Sequence, residues 1–187
     1  VVQPTDFEMV PNYSHIVEEN SYIEAQRQIE KLQSSGQFIL YFQPQVRLSD
    51  NKVVALEVLI RHQCDSGKIT PPIFLKYYER AGLMPEIDFW VMENALDYLR
   101  ENMSETDNMT LSVNISPQTL VDYRLLHIVN KVLANPLPAG WNLEFEITES
   151  QKVHEPVRVA EVLEKLRSLG IKIALDDFGS GYSTLHY

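Results

Sequence analysis

Five oxygen-bearing residues recur in this chain where short apolar runs end or are interrupted: Glu57, Asn114, Glu146, Asp176 and Asp177. Glu57 lies in Ala55-Leu-Glu-Val-Leu-Ile-Arg61, Asn114 in Ser112-Val-Asn-Ile-Ser116, and Glu146 in Glu144-Phe-Glu-Ile-Thr-Glu149; the Asp pair follows Lys172-Ile-Ala-Leu175. Each residue alone has a plainer reading: an outward strand position for Glu57, a helix cap for Asn114, a turn for Asp176-Asp177. Together, with no competing His or Cys cluster, they form an oxygen-only ligand set that suits Mg²⁺ or Mn²⁺ better than zinc. So much negative charge gathered without cations would be severely unfavourable, which makes metal the natural counter-charge. Two ions about 3.5–4 Å apart lower the pKa of a bridging water and stabilise an in-line displacement at phosphorus. Arg61, with five donors, has the geometry to hold a phosphate oxygen, or is a surface salt-bridge residue.

These residues meet only if the segments carrying them run the same way. Ser21-Tyr-Ile-Glu24 has capping-box spacing and predicts a helix over 21–34, with Tyr22, Ala25, Ile29 and Leu32 on one face and Gly36 ending it. Ile29 and Leu32 are expected to pack on the domain. Residues 38–42 and 53–60 read as two strands of an antiparallel hairpin, joined through Pro44 and a polar turn at 49–51. Helices are expected at 73–81 and then along Ile87, Val91, Ala95 and Leu99. From there the chain alternates: strand 109–115, helix 118–134, strand 143–148, helix 156–169, strand 171–175. Alternation argues for parallel strands with helical crossovers, either an open doubly wound sheet or a barrel. Parallel strands put their C-terminal ends on one rim, where the five side chains converge.

At 187 residues, 44% apolar and 10% aromatic, the chain is long enough for one domain with a substantial core. Sixteen Lys and Arg against twenty-six Asp and Glu give a net charge of −10, which argues against DNA or RNA as a partner. A small phosphate substrate stays compatible, because a bound metal sets the local field. Cys64 is the only cysteine, so no intrachain disulfide forms and a cytoplasmic setting is expected. No run of about 18 apolar residues exists, so no membrane contact by this segment is expected, although a parent protein can carry an anchor elsewhere. Residues 1–13 read as a linker and 14–187 as the domain. About five strands are legible before the Gly-rich stretch Phe178-Gly-Ser-Gly-Tyr-Ser183; a closed eight-stranded barrel runs to roughly 250 residues, so a barrel here is expected to be C-terminally incomplete.

Five blocks in order resemble the EAL-domain cyclic di-GMP phosphodiesterases. Tyr41-Phe-Gln-Pro44 is similar to the family's opening strand and Glu57-Val-Leu-Ile-Arg61 to its signature. Ser112-Val-Asn-Ile-Ser116 matches its asparagine strand, Phe145-Glu-Ile-Thr-Glu-Ser150 its glutamate strand, and Asp176-Asp-Phe-Gly-Ser-Gly-Tyr-Ser183 its active-site loop. The resemblance implies an α/β fold, a TIM-type (β/α)8 barrel with one antiparallel strand, truncated here after about the fifth strand. It implies hydrolysis of cyclic di-GMP to linear pGpG with Mg²⁺ or Mn²⁺, in bacterial second-messenger signalling. By position it makes Glu57, Asn114, Glu146 and Asp176 metal ligands, Asp177 a ligand or the residue that orients the attacking water, and Arg61 a contact to substrate phosphate. Gln43 is expected near the substrate. Glu149 is expected to anchor the loop after Asp177, a loop associated in the family with catalysis and dimer contacts, so a homodimer is expected and Tyr182 is a candidate to meet the second subunit. The signature's middle Ala is Val58 here; a strand turns it away from Glu57, and no loss of metal binding is expected. The family's later Lys, further Glu and Gln have no counterpart among these 187 residues, so little hydrolysis is expected of this stretch alone. The competing expectations are a catalytically silent cyclic di-GMP receptor or scaffold of the same fold, and an unrelated barrel with a convergent metal site.

Overall fold

The computed structural model describes residues 21–72, 74–106, 108–148 and 155–176. The expected linker at 1–13, Glu149, Asp177 and the Gly-rich stretch with Tyr182 lie outside the described residues. In chain order the elements are α1 (Ser21–Ser34), β1 (Phe38–Arg47), β2 (Lys52–Gln63), β3 (Ile69–Thr70), α2 (Leu75–Arg80), α3 (Met84–Asn102), β4 (Met109–Asn114), α4 (Pro117–Leu120), α5 (Leu125–Leu133), β5 (Trp141–Thr148), α6 (Pro156–Ser168) and β6 (Lys172–Asp176).

The strands make one sheet in the order β1-β2-β4-β5-β6, with short β3 on β2. β1 and β2 form the expected antiparallel hairpin. Its turn is shaped by Asp50, whose Oδ1 accepts from Arg47 Nε at 3.0 Å and Lys52 N at 3.3 Å, and by Asn51, which takes a left-handed φ of 56°. β1 runs on through Pro44, beyond its expected end at 42. Proline has no N–H for a ladder, yet among the described residues β1 pairs on one side only, where a proline is tolerated. β2, β4, β5 and β6 are mutually parallel, and α2–α3, α4–α5 and α6 supply their crossovers.

One face of the sheet is apolar. Val58, Ile60, Leu111, Val113, Leu143, Phe145 and Ile147 are all at most 8% exposed and share one core with Ala25 and Ile29 of α1 and Ile87, Val91, Ala95 and Leu99 of α3. Burying a single Leu or Phe fully is worth about 1.5–3 kcal/mol, so this face holds the strands in place. Ile29 packs as expected. Tyr22 does not join that stripe: it sits in the first turn of α1 and is 51% exposed.

One helix differs from expectation. The single helix expected over 118–134 is two, α4 and α5. Between them the Asp122 carboxylate accepts from Arg124 N at 2.8 Å and from the Arg124 guanidinium at 2.8 Å, a local turn that competes with helical continuation. Arg124 also pairs with Glu86 at 2.7 Å, which ties this break to the start of α3. Gly36 and Gly170 end α1 and α6 with φ of 71° and 86°, a conformation only glycine adopts freely.

Candidate metal centre and its pocket

The opposite face of the same strands is polar, because side chains alternate along each strand. Register places Glu57, Ser112, Glu144 and Lys172 in one row across β2, β4, β5 and β6, and Asn114, Glu146 and Ala174 in the next. Asp176, two residues beyond Ala174, therefore lies on the face that carries Glu146. Glu57, Asn114, Glu146 and Asp176 are thus presented by four adjacent parallel strands: Asn114 and Asp176 end β4 and β6, Glu146 lies two residues before the end of β5, and Glu57 sits at the middle of β2.

Side-chain contacts knit the rows together. Asn114 Nδ2 donates to Glu57 Oε1 at 3.1 Å, which leaves the Asn114 carbonyl oxygen for another partner. Gln45 Nε2, from β1, donates to Glu146 Oε1 at 3.4 Å, and Ser112 Oγ donates to Glu144 Oε1 at 3.0 Å. Glu146 is 8% exposed. Burial pushes its pKa above the ordinary carboxylate value, and the nearby Glu57 and Asp176 push it further, against the hydrogen bonds of Gln45 and Ser112. Oxygen donors that raise one another's proton affinity in this way fit a divalent cation: Glu57, Glu146 and Asp176 supply carboxylates and Asn114 a carboxamide. Among the described residues no three His, Cys, Asp or Glu side chains close on one point as a finished metal cage.

Arg61 is half-buried beyond Glu57 on β2; its Nη1 donates to Ile60 O at 2.8 Å and its guanidinium lies 5.7 Å from the centre of the Tyr41 ring. Gln43 sits opposite Glu57 across the β1–β2 ladder and is exposed. Val58 is 2% exposed in the core, on the face away from Glu57, as expected. A cavity of about 300 Å³ opens between this rim and α2–α3, with Arg61, Asn114 and Glu146 on its polar side and Leu75, Met84 and Ile87 on its apolar side.

Three contributors escaped sequence reasoning. Gln45 is one turn of the pleat past Gln43 and reaches Glu146, 101 residues away in sequence. Tyr41 stands in the sequence only as part of a motif, and its contact with Arg61 is made across the hairpin. Asp88 lines the same cavity and binds the turn after Asn114. The available signal for Asp88 was an acid set inside the otherwise apolar run Ile87-Asp-Phe-Trp-Val91.

The EAL domain model matches residues 26–187. The chain is 33% identical over 129 residues to the cyclic di-GMP phosphodiesterase PdeF of Escherichia coli, covering 68% of this chain and 17% of that protein. It is 29% identical over 174 residues to the cyclic di-GMP phosphodiesterase NbdA of Pseudomonas aeruginosa, covering 92% and 22%. Among solved structures it is similar to the EAL enzyme Bd1971 bound to cAMP and cyclic di-GMP, with a TM-score of 0.74, 27% identity and coverage of 89% and 46%. The chain spans less than half the length of each of these proteins. The likeness establishes the TIM-type barrel fold, to which β1 contributes the antiparallel strand.

Proposed function

Since this chain belongs to the EAL domain family, we propose that the protein carrying it is a metal-dependent phosphodiesterase that hydrolyses cyclic di-GMP to linear pGpG. The observation that carries the reading is the convergence of Glu57, Asn114, Glu146 and Asp176 from four adjacent strands beside a cavity bearing Arg61. The cavity has Arg61, Asn114 and Glu146 at the rim and, along α2–α3, the apolar Leu75, Met84, Ile87 and Val91 beside Lys76, Glu79 and Asp88. This lining suits a phosphate at the rim and a flat base against the apolar side chains.

Glu57, Asn114, Glu146 and Asp176 are the residues that would hold Mg²⁺ or Mn²⁺, with Asp177 as a further ligand or as the group that orients water. Bound there, the ions supply Lewis acidity at phosphorus and a water acidic enough to attack near neutral pH. The chain's own side chains do the rest. Asn114 holds Glu57 in position through its amide, and Gln45 does the same for Glu146. Arg61, held over the Tyr41 ring, orients a phosphate oxygen; Gln43 stands opposite Glu57 on β1. Water adds to one phosphorus, the bond to the ribose 3′ oxygen breaks, and that oxygen leaves with a proton as the free hydroxyl of pGpG. Burial of Glu146 keeps competing water from its carboxylate. The same reading includes Glu149 as anchor of the loop after Asp177, and a homodimer, which sedimentation of the full-length protein tests.

The direct test is incubation of the full-length protein with cyclic di-GMP and Mn²⁺, with pGpG read by chromatography. Turnover that disappears on chelation and in Glu57→Ala supports the reading. Tight nucleotide binding with no product at micromolar enzyme replaces it with a silent receptor of the same fold.

A further inference from the structure

β4 ends at Asn114, and within two residues the chain turns into α4, with Ser116 as its cap and Pro117 at its first position. The group that holds this turn comes from elsewhere. Asp88, in the first half of α3, places one carboxylate oxygen under it: Oδ2 accepts the Ser116 backbone N–H at 2.8 Å and the Thr119 hydroxyl at 2.6 Å. Ser116 Oγ and Thr119 Oγ1 lie 3.0 Å apart and share a hydrogen bond. Asp88 is 5% exposed and Thr119 is 0%. A second clasp grips the same turn, since Gln118 Nε2 donates to Glu79 O at 2.6 Å and Gln118 Oε1 accepts from Met84 N at 3.3 Å.

Asp88 is costly where it sits. Aspartate is a poor helix former, and its flanking residues Ile87 and Phe89 are buried at 1% and 5% exposure. An apolar residue would serve α3 better if packing were the only demand. Both of its hydrogen bonds instead leave α3 for the two positions that decide how β4 departs from the sheet. We infer that Asp88 is a positioning residue for the rim: by fixing Ser116 N–H and the Thr119 hydroxyl it sets the placement of the Asn114 carboxamide against Glu57. This rests on the reading of the rim as a cation site, and it names a residue outside that site on which the cation depends.

The geometry makes a selective demand. Both bonds end on the same oxygen, so a carboxamide oxygen in that place accepts both, and the negative charge is dispensable while the acceptor is not. Groups that orient a metal ligand typically cost about 10–100-fold in metal affinity when removed. In the full-length protein, Mn²⁺ alone is titrated at pH 7.5 and free Mn²⁺ is read by electron paramagnetic resonance, with a melting curve on each sample. Asp88→Ala is expected to weaken Mn²⁺ binding roughly 10-fold or more, Asp88→Asn to stay within about 3-fold of the parent, and Thr119→Val to fall between them. A folded Asp88→Ala protein that binds Mn²⁺ within about 2-fold of the parent overturns the inference, and so does Asp88→Asn binding as poorly as Asp88→Ala. If Asp88→Ala does not fold, Thr119→Val decides, and unchanged affinity there overturns it. A parent protein that binds no Mn²⁺ at all removes the cation reading itself, and this inference with it; that failure shows in the unmutated arm alone.

Discussion

Asp88 behind β4 and Glu146 on β5 are both buried carboxylates, 5% and 8% exposed, and burial raises the pKa of each. Their surroundings differ in kind. Asp88 faces donors, the Ser116 N–H and the Thr119 hydroxyl, and these oppose the effect of burial. Glu146 faces two further acids, Glu57 and Asp176, which add to it. The first carboxylate is satisfied by the protein alone. The second has two further carboxylates beside it, and on the proposed function a cation there offsets their mutual repulsion. On the proposed function, the same direction of shift marks architecture in one place and a ligand site in the other, and the partners rather than the shift tell them apart.

The largest expected effect comes from removing the carboxylate that sits beside the two other acids. Glu146→Ala is expected to lower kcat/KM for cyclic di-GMP by on the order of 10³-fold, about 4 kcal/mol in the barrier. In metal-free buffer its urea midpoint should stay the same or rise, because a repulsive group has left. A metal-free protein clearly destabilised by this change would make Glu146 architectural too, and the contrast with Asp88 would fail. Mn²⁺ sharpens the same contrast at a smaller scale. A ligand present at about 100 times its Kd stabilises a fold by about 2.7 kcal/mol, so Mn²⁺ at such excess should raise the melting temperature of the parent and of Asp88→Asn. In Glu146→Ala that rise should be largely lost.

The difference between the two sites also explains what could be read in advance. The rim was legible because one chemical type recurs at the ends of strands, and a strand's period of two fixes which face each residue joins. The stripe Ile87, Val91, Ala95 and Leu99 was legible for the same reason at helical spacing, and all four are buried. Asp88 shows in the sequence only as an acid set inside an apolar run, and its partners appear once α4 is folded beneath it. The break between α4 and α5 was hidden, because Asp122 and Arg124 settle it through a hydrogen bond that apolar periodicity does not register. Pro44 misled in the other direction: it ends a strand as a local signal, whereas a one-sided ladder lets β1 continue to Arg47. Gln45 needed the full crossover through β2 and β4 to come within reach of Glu146.

The smallest expected effect is a pH dependence that separates the two carboxylates. Asp88 is raised from 3.8 to about 6, chiefly by burial and against its bonds from Thr119 and Ser116. The folded protein therefore keeps this proton in a range where the unfolded chain has released it. Its contribution to stability is most favourable below about pH 4, falls as pH rises through about 6, and is fully lost above that. At about 1.4 kcal/mol per unit, the difference amounts to on the order of 2–3 kcal/mol. Glu146 is raised as well, so its contribution has the same sign. Urea unfolding of the full-length protein between pH 4.5 and 8 separates the two by substitution. Asp88→Asn should flatten the loss of stability toward high pH whether or not Mn²⁺ is present, because its oxygen keeps both bonds and carries no charge. Saturating Mn²⁺ should flatten only the part that Glu146→Gln also removes, because a cation beside Glu146 favours its ionised form at every pH. A profile that Asp88→Asn leaves unchanged would mean that Asp88 is not raised on folding, and one that Mn²⁺ abolishes entirely would mean that both carboxylates belong to one electrostatic unit and that the turn behind Asn114 senses the cation directly.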